Sequence, residues 1–426
     1  QFGYDAAGSP TSVVDPLGNA TYFYHDGAGR QVCAEDALGN RTYFEHDEAG
    51  NRTAAVDPLA RRAEFSYDVM NRLAETVAPD GGVTGFDYDK NGNLLSVLDA
   101  VGNRTEYSYD ELNRLESVTD ALGESEYYSY DSAGNLTDFK DAEGNETSYD
   151  YDLADRRSKV VYPDTSFSYF NYNEAANLTE TRDARGWSYF EYDRMNRLES
   201  EKAPDGSRTE HTYDENSNRT IVTSPVASTY YSFDEVDRME HAQAEEAATG
   251  TAYYAFDAAG NLTEKKLGNG CRTFLEYDAD NRVAKILNTL PNGAPLVYFE
   301  YDYDAAGRIA SVMRENLSII YYGYDQADRL TSEEWKDSGG STIYAFEWDY
   351  DRVGNRTYES RGGREKFYFY NAANELTSFY DADADAWTRF TYDNKGNCTI
   401  IDAPGGATYF QYNDTNLVTE IKYPGG

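Results

Sequence analysis

An aromatic or histidine residue followed by Asp or Asn marks twenty regularly spaced anchors along this 426-residue chain. The first nine anchors are Asp5, Asp26, Asp47, Asp68, Asp89, Asp110, Asp131, Asp152 and Asn173, each 21 residues after the last. They continue as Asp193, Asp214, Asp234, Asp257, Asp278, Asp304, Asp325, Asp351, Asn371, Asp393 and Asn413, at spacings of 20 to 26. So short and persistent a period restricts the chain to small supersecondary units that bury their faces against their neighbours. No segment is left for a separate domain, so residues 1–426 read as one array of about twenty repeats.

The residue before the anchor is Tyr in sixteen copies, and the residue two places earlier is aromatic in eighteen. Alternate strand residues share a face, so each repeat presents an aromatic pair on one side of a sheet. Tyr67, Tyr88, Tyr107, Tyr109, Tyr128, Tyr130, Tyr149, Tyr151, Phe190 and Tyr192 are expected to form a stacked ladder. Cross-strand aromatic pairs contribute roughly 0.2–1 kcal/mol each. The anchor carboxylates, among them Asp68, Asp89, Asp110, Asp131 and Asp152, suit turns because Asp accepts hydrogen bonds from main-chain N–H groups two residues on. Three residues after the anchor stands Gly, Asn or Asp in eighteen copies, including Gly92, Gly134 and Gly260. These types adopt a left-handed backbone most readily, so a type I turn closed by a left-handed residue is expected. Only Ala176 and Ser217 depart from the rule. The closing pairs alternate, as in Gly50-Asn51, Asn71-Arg72, Gly92-Asn93 and Asn113-Arg114, which makes a 42-residue superperiod.

A second turn follows about ten residues after each anchor, for example Asp36-Ala37-Leu38-Gly39 and Asp99-Ala100-Val101-Gly102. Two turns per repeat give about forty short strands in an all-β chain. At ~4.8 Å per strand the ribbon would be roughly 190 Å wide. Strands twist, so such a ribbon should coil into one continuous spiralling antiparallel sheet: a hollow shell, tube or fibre wall. Three enlarged spacings between Asp234 and Asp351 place longer hairpins, projecting from one rim, in residues 234–351.

The formal net charge is -38. Such a surface repels nucleic acid and anionic membrane, and no apolar run is long enough to span a bilayer. Three scattered cysteines, Cys33, Cys271 and Cys398, fit neither a disulfide framework nor a zinc site. The sequence opens within a repeat, so it reads as a piece of a larger protein whose export signal would lie upstream.

Units such as Tyr107-Ser108-Tyr109-Asp110-Glu111-Leu112-Asn113-Arg114-Leu115 and Tyr254-Ala255-Phe256-Asp257-Ala258-Ala259-Gly260-Asn261-Leu262-Thr263 resemble YD repeats, also called RHS (rearrangement hotspot) repeats. The resemblance covers almost the whole chain. It implies a spiralling β-sheet around a hollow volume, as in the shells of bacterial polymorphic toxins, in wall-associated proteins and in teneurins. Toxin-bearing members end in a core-associated region with a self-cleavage site. Asp15-Pro16-Leu17-Gly18 and Asp57-Pro58-Leu59 share its Asp-Pro but occupy ordinary second-turn positions.

No catalytic constellation is evident. His25, His46 and His211 fall on ladder positions, and His241 lies in an enlarged hairpin. Asp381-Ala382-Asp383-Ala384-Asp385 begins like a calcium loop, but Ala386 and Tyr392 stand where its Gly and Glu are required. No cofactor is expected; adventitious calcium along the acidic turns is the one ion left open. The leading expectation is a non-enzymatic scaffold of a secreted or cell-surface protein, partnered by other repeats of its own or neighbouring chains. The alternatives are a shell around a C-terminal toxin cargo, or an adhesin binding glycan or a surface protein through exposed aromatics such as Trp335 and Trp387.

Overall fold

The computed structural model describes residues 1–245 and 250–425. Forty strands form one sheet, and each pairs antiparallel with the strands just before and after it in the chain. No helix occurs among the described residues.

One repeat shows how the local sequence produces this meander. Strand Arg104–Tyr109 pairs with Leu115–Thr119 through Glu106↔Thr119, Tyr107↔Val118 and Ser108↔Ser117. The register then slips, so that Tyr109 faces Leu115. The slip accommodates the turn: Asp110 N–H donates to the Arg114 carbonyl (2.9 Å), and Asn113 N–H donates to that of Asp110 (3.0 Å). Asn113 is left-handed (φ 61°), as is the closing residue in all twenty anchor turns. Ala176 (φ 67°) and Ser217 (φ 72°) adopt this backbone too. The second turns mostly repeat the same geometry, with Asp99 N–H donating to the Asn103 carbonyl (2.9 Å).

The wall is a single layer, so little of it is fully buried. Among the described residues, Cys33, Ala54, Val160 and Val312 are the buried apolar ones, and Ser96 and Ser200 are as deeply covered. Stability must therefore come from side chains lying along each face and from contacts between successive repeats.

Most strands have five or six residues, but Val283–Thr289 and Leu330–Lys336 have seven, and Pro295–Tyr303 and Thr342–Tyr350 have nine. These two hairpins raise the second-turn rim by roughly 7–10 Å at ~3.3 Å per residue. In the remaining enlarged step, Asp234 to Asp257, residues 246–249 lie outside the described residues.

The ribbon coils on itself. Asn281 donates to Asp15 (3.1 Å), Arg61 to Asp328 (2.6 Å) and Arg329 to Asp80 (2.9 Å), and Lys395 Nζ lies 3.4 Å from Asp141. Each contact joins a second turn of the first coil to an anchor turn either 23 or 25 strands later. About 24 strands thus complete one circuit. At ~4.8 Å per strand the wall is ~115 Å around and ~37 Å across, and the chain makes somewhat more than one and a half turns.

Candidate functional site: interlocked turns and the seam between coils

Each anchor carboxylate organises its own turn. Asp68 Oδ1 accepts from the N–H groups of Met70 (2.8 Å) and Arg72 (3.0 Å), while Oδ2 accepts from Arg72 Nε (2.7 Å). Asp110 and Asp152 repeat this with Arg114 and Arg156. Asp89 and Asp131 bind Asn93 and Asn135 instead. Hydrogen bonds to the charged form hold these carboxyls below their ordinary range. For Asp26, the Arg30 main-chain N–H and then its guanidinium bring the value down to about 2.

The residue four places after the anchor also reaches the next repeat, and here the superperiod acquires a physical meaning. Arg72 Nη1 donates to the Asp89 carbonyl (2.6 Å), and its guanidinium lies 4.7 Å from the Tyr88 ring. Arg114 does the same to Asp131 and Tyr130. Asn93 instead donates to the Asn113 side chain (2.8 Å), and Asn135 to that of Asp155 (3.0 Å). All eight Asn at this place precede a repeat closed by Asn or Asp. Eight of the nine Arg precede Gly, Ala or Ser. The ninth, Arg308, meets Asp328 directly (2.8 Å). The alternation is thus a set of complementary joints. The closing pairs alone signalled it; the contact itself was not legible in the sequence.

The aromatic pair sits as follows. Tyr107 faces Val118, Tyr128 packs on Phe139 (5.3 Å between centroids) and Tyr149 lies under Arg157 (4.7 Å). Phe190 faces Glu201 and Tyr192 faces Leu198. The Tyr next to the anchor also latches to the preceding repeat. The hydroxyls of Tyr67, Tyr151 and Tyr213 donate to the carbonyls of Arg52, Leu136 and Leu198 at 2.8–3.0 Å. Direct ring-on-ring stacking is therefore only part of the ladder's chemistry. His211 occupies a ladder place, and burial holds its imidazole below the ordinary range.

No strand pairing crosses the seam among the described residues; side chains and turn N–H groups close it. Lys395, 7% exposed, lies between Asp141 (3.4 Å) and Glu143 (3.3 Å). Burial opposes its charge, but those two carboxylates keep the ammonium above its ordinary range. Arg61 bridges Asp57 and Asp328. Elsewhere Ala37 N–H donates to Asp280 (3.0 Å), whose carboxyl is pushed up by burial and then by Asp36. A cleft of about 510 Å³ follows the seam, with Asp36, Arg61, Asp280 and Asp328 in its lining.

The two tryptophans suggested as binding residues differ in setting. Trp387 is 41% exposed and packs on Phe369 (5.4 Å) and Tyr380 (5.2 Å). Trp335 lies between Arg314 and Tyr344, with its indole N–H buried and unpartnered. In the Asp381–Asp385 segment, Asp381 accepts from Ala384 N–H (3.1 Å) and Asp385 from the Tyr380 hydroxyl (2.8 Å). No cluster of three or more metal-ligating side chains occurs among the described residues.

The RHS Repeat profile matches residues 46–83, 88–125, 130–166, 172–208 and 370–408. Those five segments are RHS repeats. The wall is similar to the crystal structure of TcdB2-TccC3, with a TM-score of 0.67 and 14% identity over 96% of this chain and 33% of that one. The complex TcdB2-TccC3-Cdc42 gives a TM-score of 0.66 at 14% identity over 96% of this chain and 27% of that one. The Photorhabdus luminescens Tc holotoxin pore gives 0.64 at 14% identity over 94% and 26%. At this identity the likeness is one of fold, and the chain spans a quarter to a third of those proteins' length. No curated protein sequence matches the chain.

Proposed function

We propose that this RHS wall is the side of a container that holds a polypeptide cargo away from bulk solvent, in a protein exported to the cell surface or beyond. The seam is the observation that supports this reading. An array that only displayed its repeats could remain an open ribbon, whereas this one returns on itself and closes the gap with partly buried ion pairs. Side chains take up ~5 Å of each inner wall, leaving a bore of ~27 Å. A folded 100-residue domain, with a radius of gyration of ~13 Å, would be a tight fit. The bore suits an extended or locally helical chain better. The acidic surface keeps such a particle soluble and away from nucleic acid. A test polypeptide tethered after residue 426 should resist protease when fused to the wall. Cleavage as fast as that of the free polypeptide would remove the container reading.

A second reading, adhesion, draws on the exposed Trp387 and Phe369 with the half-buried Tyr380 beside them. Aromatic platforms of this kind take sugar rings or apolar side chains. Binding on a glycan array that Trp387→Ala abolishes would support it. An array left blank by folded protein would count against it.

A further inference from the structure

Two residues after the anchor, eighteen of the twenty repeats carry an uncharged side chain, most often Ala. The two exceptions, Asp280 and Lys395, both lie on the seam. Lys395 is explained by the carboxylates it meets, Asp141 and Glu143. Asp280 has the opposite setting. It crosses to the turn that begins at Asp36, where Ala37 N–H donates to its Oδ1 (3.0 Å), and this brings it against the Asp36 carboxylate. At the other seam contacts a cation or an amide meets each carboxylate. Here two carboxylates meet, in a place where Ala is the ordinary residue and would avoid the conflict.

Among the described residues no neighbouring cation is free to settle the pair. Arg282, in the same turn as Asp280, is held by Asp278 (2.7 Å) and stands 3.9 Å from Asp280. Across the cleft Arg61 is taken up by Asp57 and Asp328, and Arg308 by Asp304 and Asp328. Asp15, the next acid along the seam, is bound by Asn19 and Asn281. The Asp280 side chain is only 16% exposed, so water reaches it poorly.

We propose that Asp280 and Asp36 share a proton across the seam and form a clasp that acid closes. One carboxyl donates its O–H to the other, and loss of the proton leaves two like charges that push the coils apart. Burial and then Asp36 hold the Asp280 carboxyl above its ordinary range. The closed seam therefore binds the proton more tightly than the open one. Its gain is complete below the ordinary value near ~3.9 and is lost as pH rises through the raised one. The anchor carboxylates respond in the reverse sense, because theirs are lowered. The clasp goes beyond the container reading and is independent of it, since the seam is part of the wall whatever the wall encloses.

Hydrogen exchange on the 426-residue chain tests this, with the Ala37 amide as reporter and rates corrected for the intrinsic pH dependence of exchange. From about pH 8 to about pH 5, protection of the Ala37 peptide should rise roughly threefold or more. Ala154 N–H, held within its own turn by Asp152 (2.9 Å), should not change. Asp280→Asn keeps an acceptor for Ala37 and supplies an N–H to Asp36, so its seam should be clasped at both pH values. Asp36→Asn removes the like charge and should also abolish the response. Unchanged Ala37 protection in the parent overturns the proposal, as does protection that falls with acid. A response that persists in either variant overturns it too, because the proton is then not shared by this pair.

Discussion

At Ala176 and Ser217 a side chain is held in the left-handed backbone that glycine adopts freely (φ 67° and 72°). Ala176 is exposed, with no packing to lose. An L-residue with a Cβ spends about 1–2 kcal/mol in this region, and glycine's larger freedom in the unfolded chain returns part of that. Ala176→Gly should therefore stabilise the protein by about 1 kcal/mol in urea unfolding; destabilisation would mean that the turn is not strained there. The anchor carboxylates set the acid limit. Their folded values lie below the unfolded value near ~3.9, with Asp26 at about 2. Asp68 and Asp110 are lowered first by the main-chain N–H groups of Arg72 and Arg114. A depressed carboxylate contributes stability that is complete above the unfolded value and disappears as pH falls through the folded one. The urea midpoint should thus hold steady above about pH 4 and fall between about pH 4 and pH 2. A midpoint that stays level over that interval would show that the turns do not depend on ionised Asp.

Between neighbouring repeats, the joint is the unit of specificity. Asn93 donates to the Asn113 side chain, whereas Arg72 and Arg114 donate to main-chain carbonyls beside Gly92 and Gly134. Asn93→Arg places a guanidinium against a closing Asn and removes the amide contact. Adding Asn113→Gly recreates the Arg-Gly joint found elsewhere in the chain. The double variant should be more stable than Asn93→Arg alone, with a coupling of about 1 kcal/mol in a double-mutant cycle. Simple additivity would show that the alternation has no energetic content. This scale was the most legible in the sequence. Strand and turn positions follow from Tyr109-Asp110 and Asn113-Arg114, because an alternating aromatic pair and a left-handed closer can be satisfied in only one local way. The joints were half legible. Alternation appears along the chain, but which donor meets which acceptor depends on spatial neighbours about 20 residues apart. The phenol latches from Tyr67 and Tyr151 lie beyond pattern reading for the same reason.

Across the whole molecule, sequence period implies a coil but not its circumference. The pitch depends on small twists summed over about 24 strands, and the residues that fix it, such as Arg61 and Asp328, lie 267 positions apart. Nothing local marks Lys395 as different from any other turn residue, yet it closes the seam against Asp141 and Glu143. The two kinds of contact should separate experimentally, because main-chain pairing runs along the ribbon while the seam is closed chiefly by side chains. Lys395→Glu sets a third carboxylate beside two others in a largely buried place. Reversing such a pair should weaken the seam by about 3 kcal/mol and leave every strand pair intact. Far-UV circular dichroism should then match the parent while small-angle scattering reports a larger radius of gyration. Adding Glu143→Lys, which restores an opposite charge, should recover much of the compact form. If Lys395→Glu instead lost β-structure in step with compactness, coil closure and strand pairing would be one cooperative unit, and the wall could not open along its seam without unfolding.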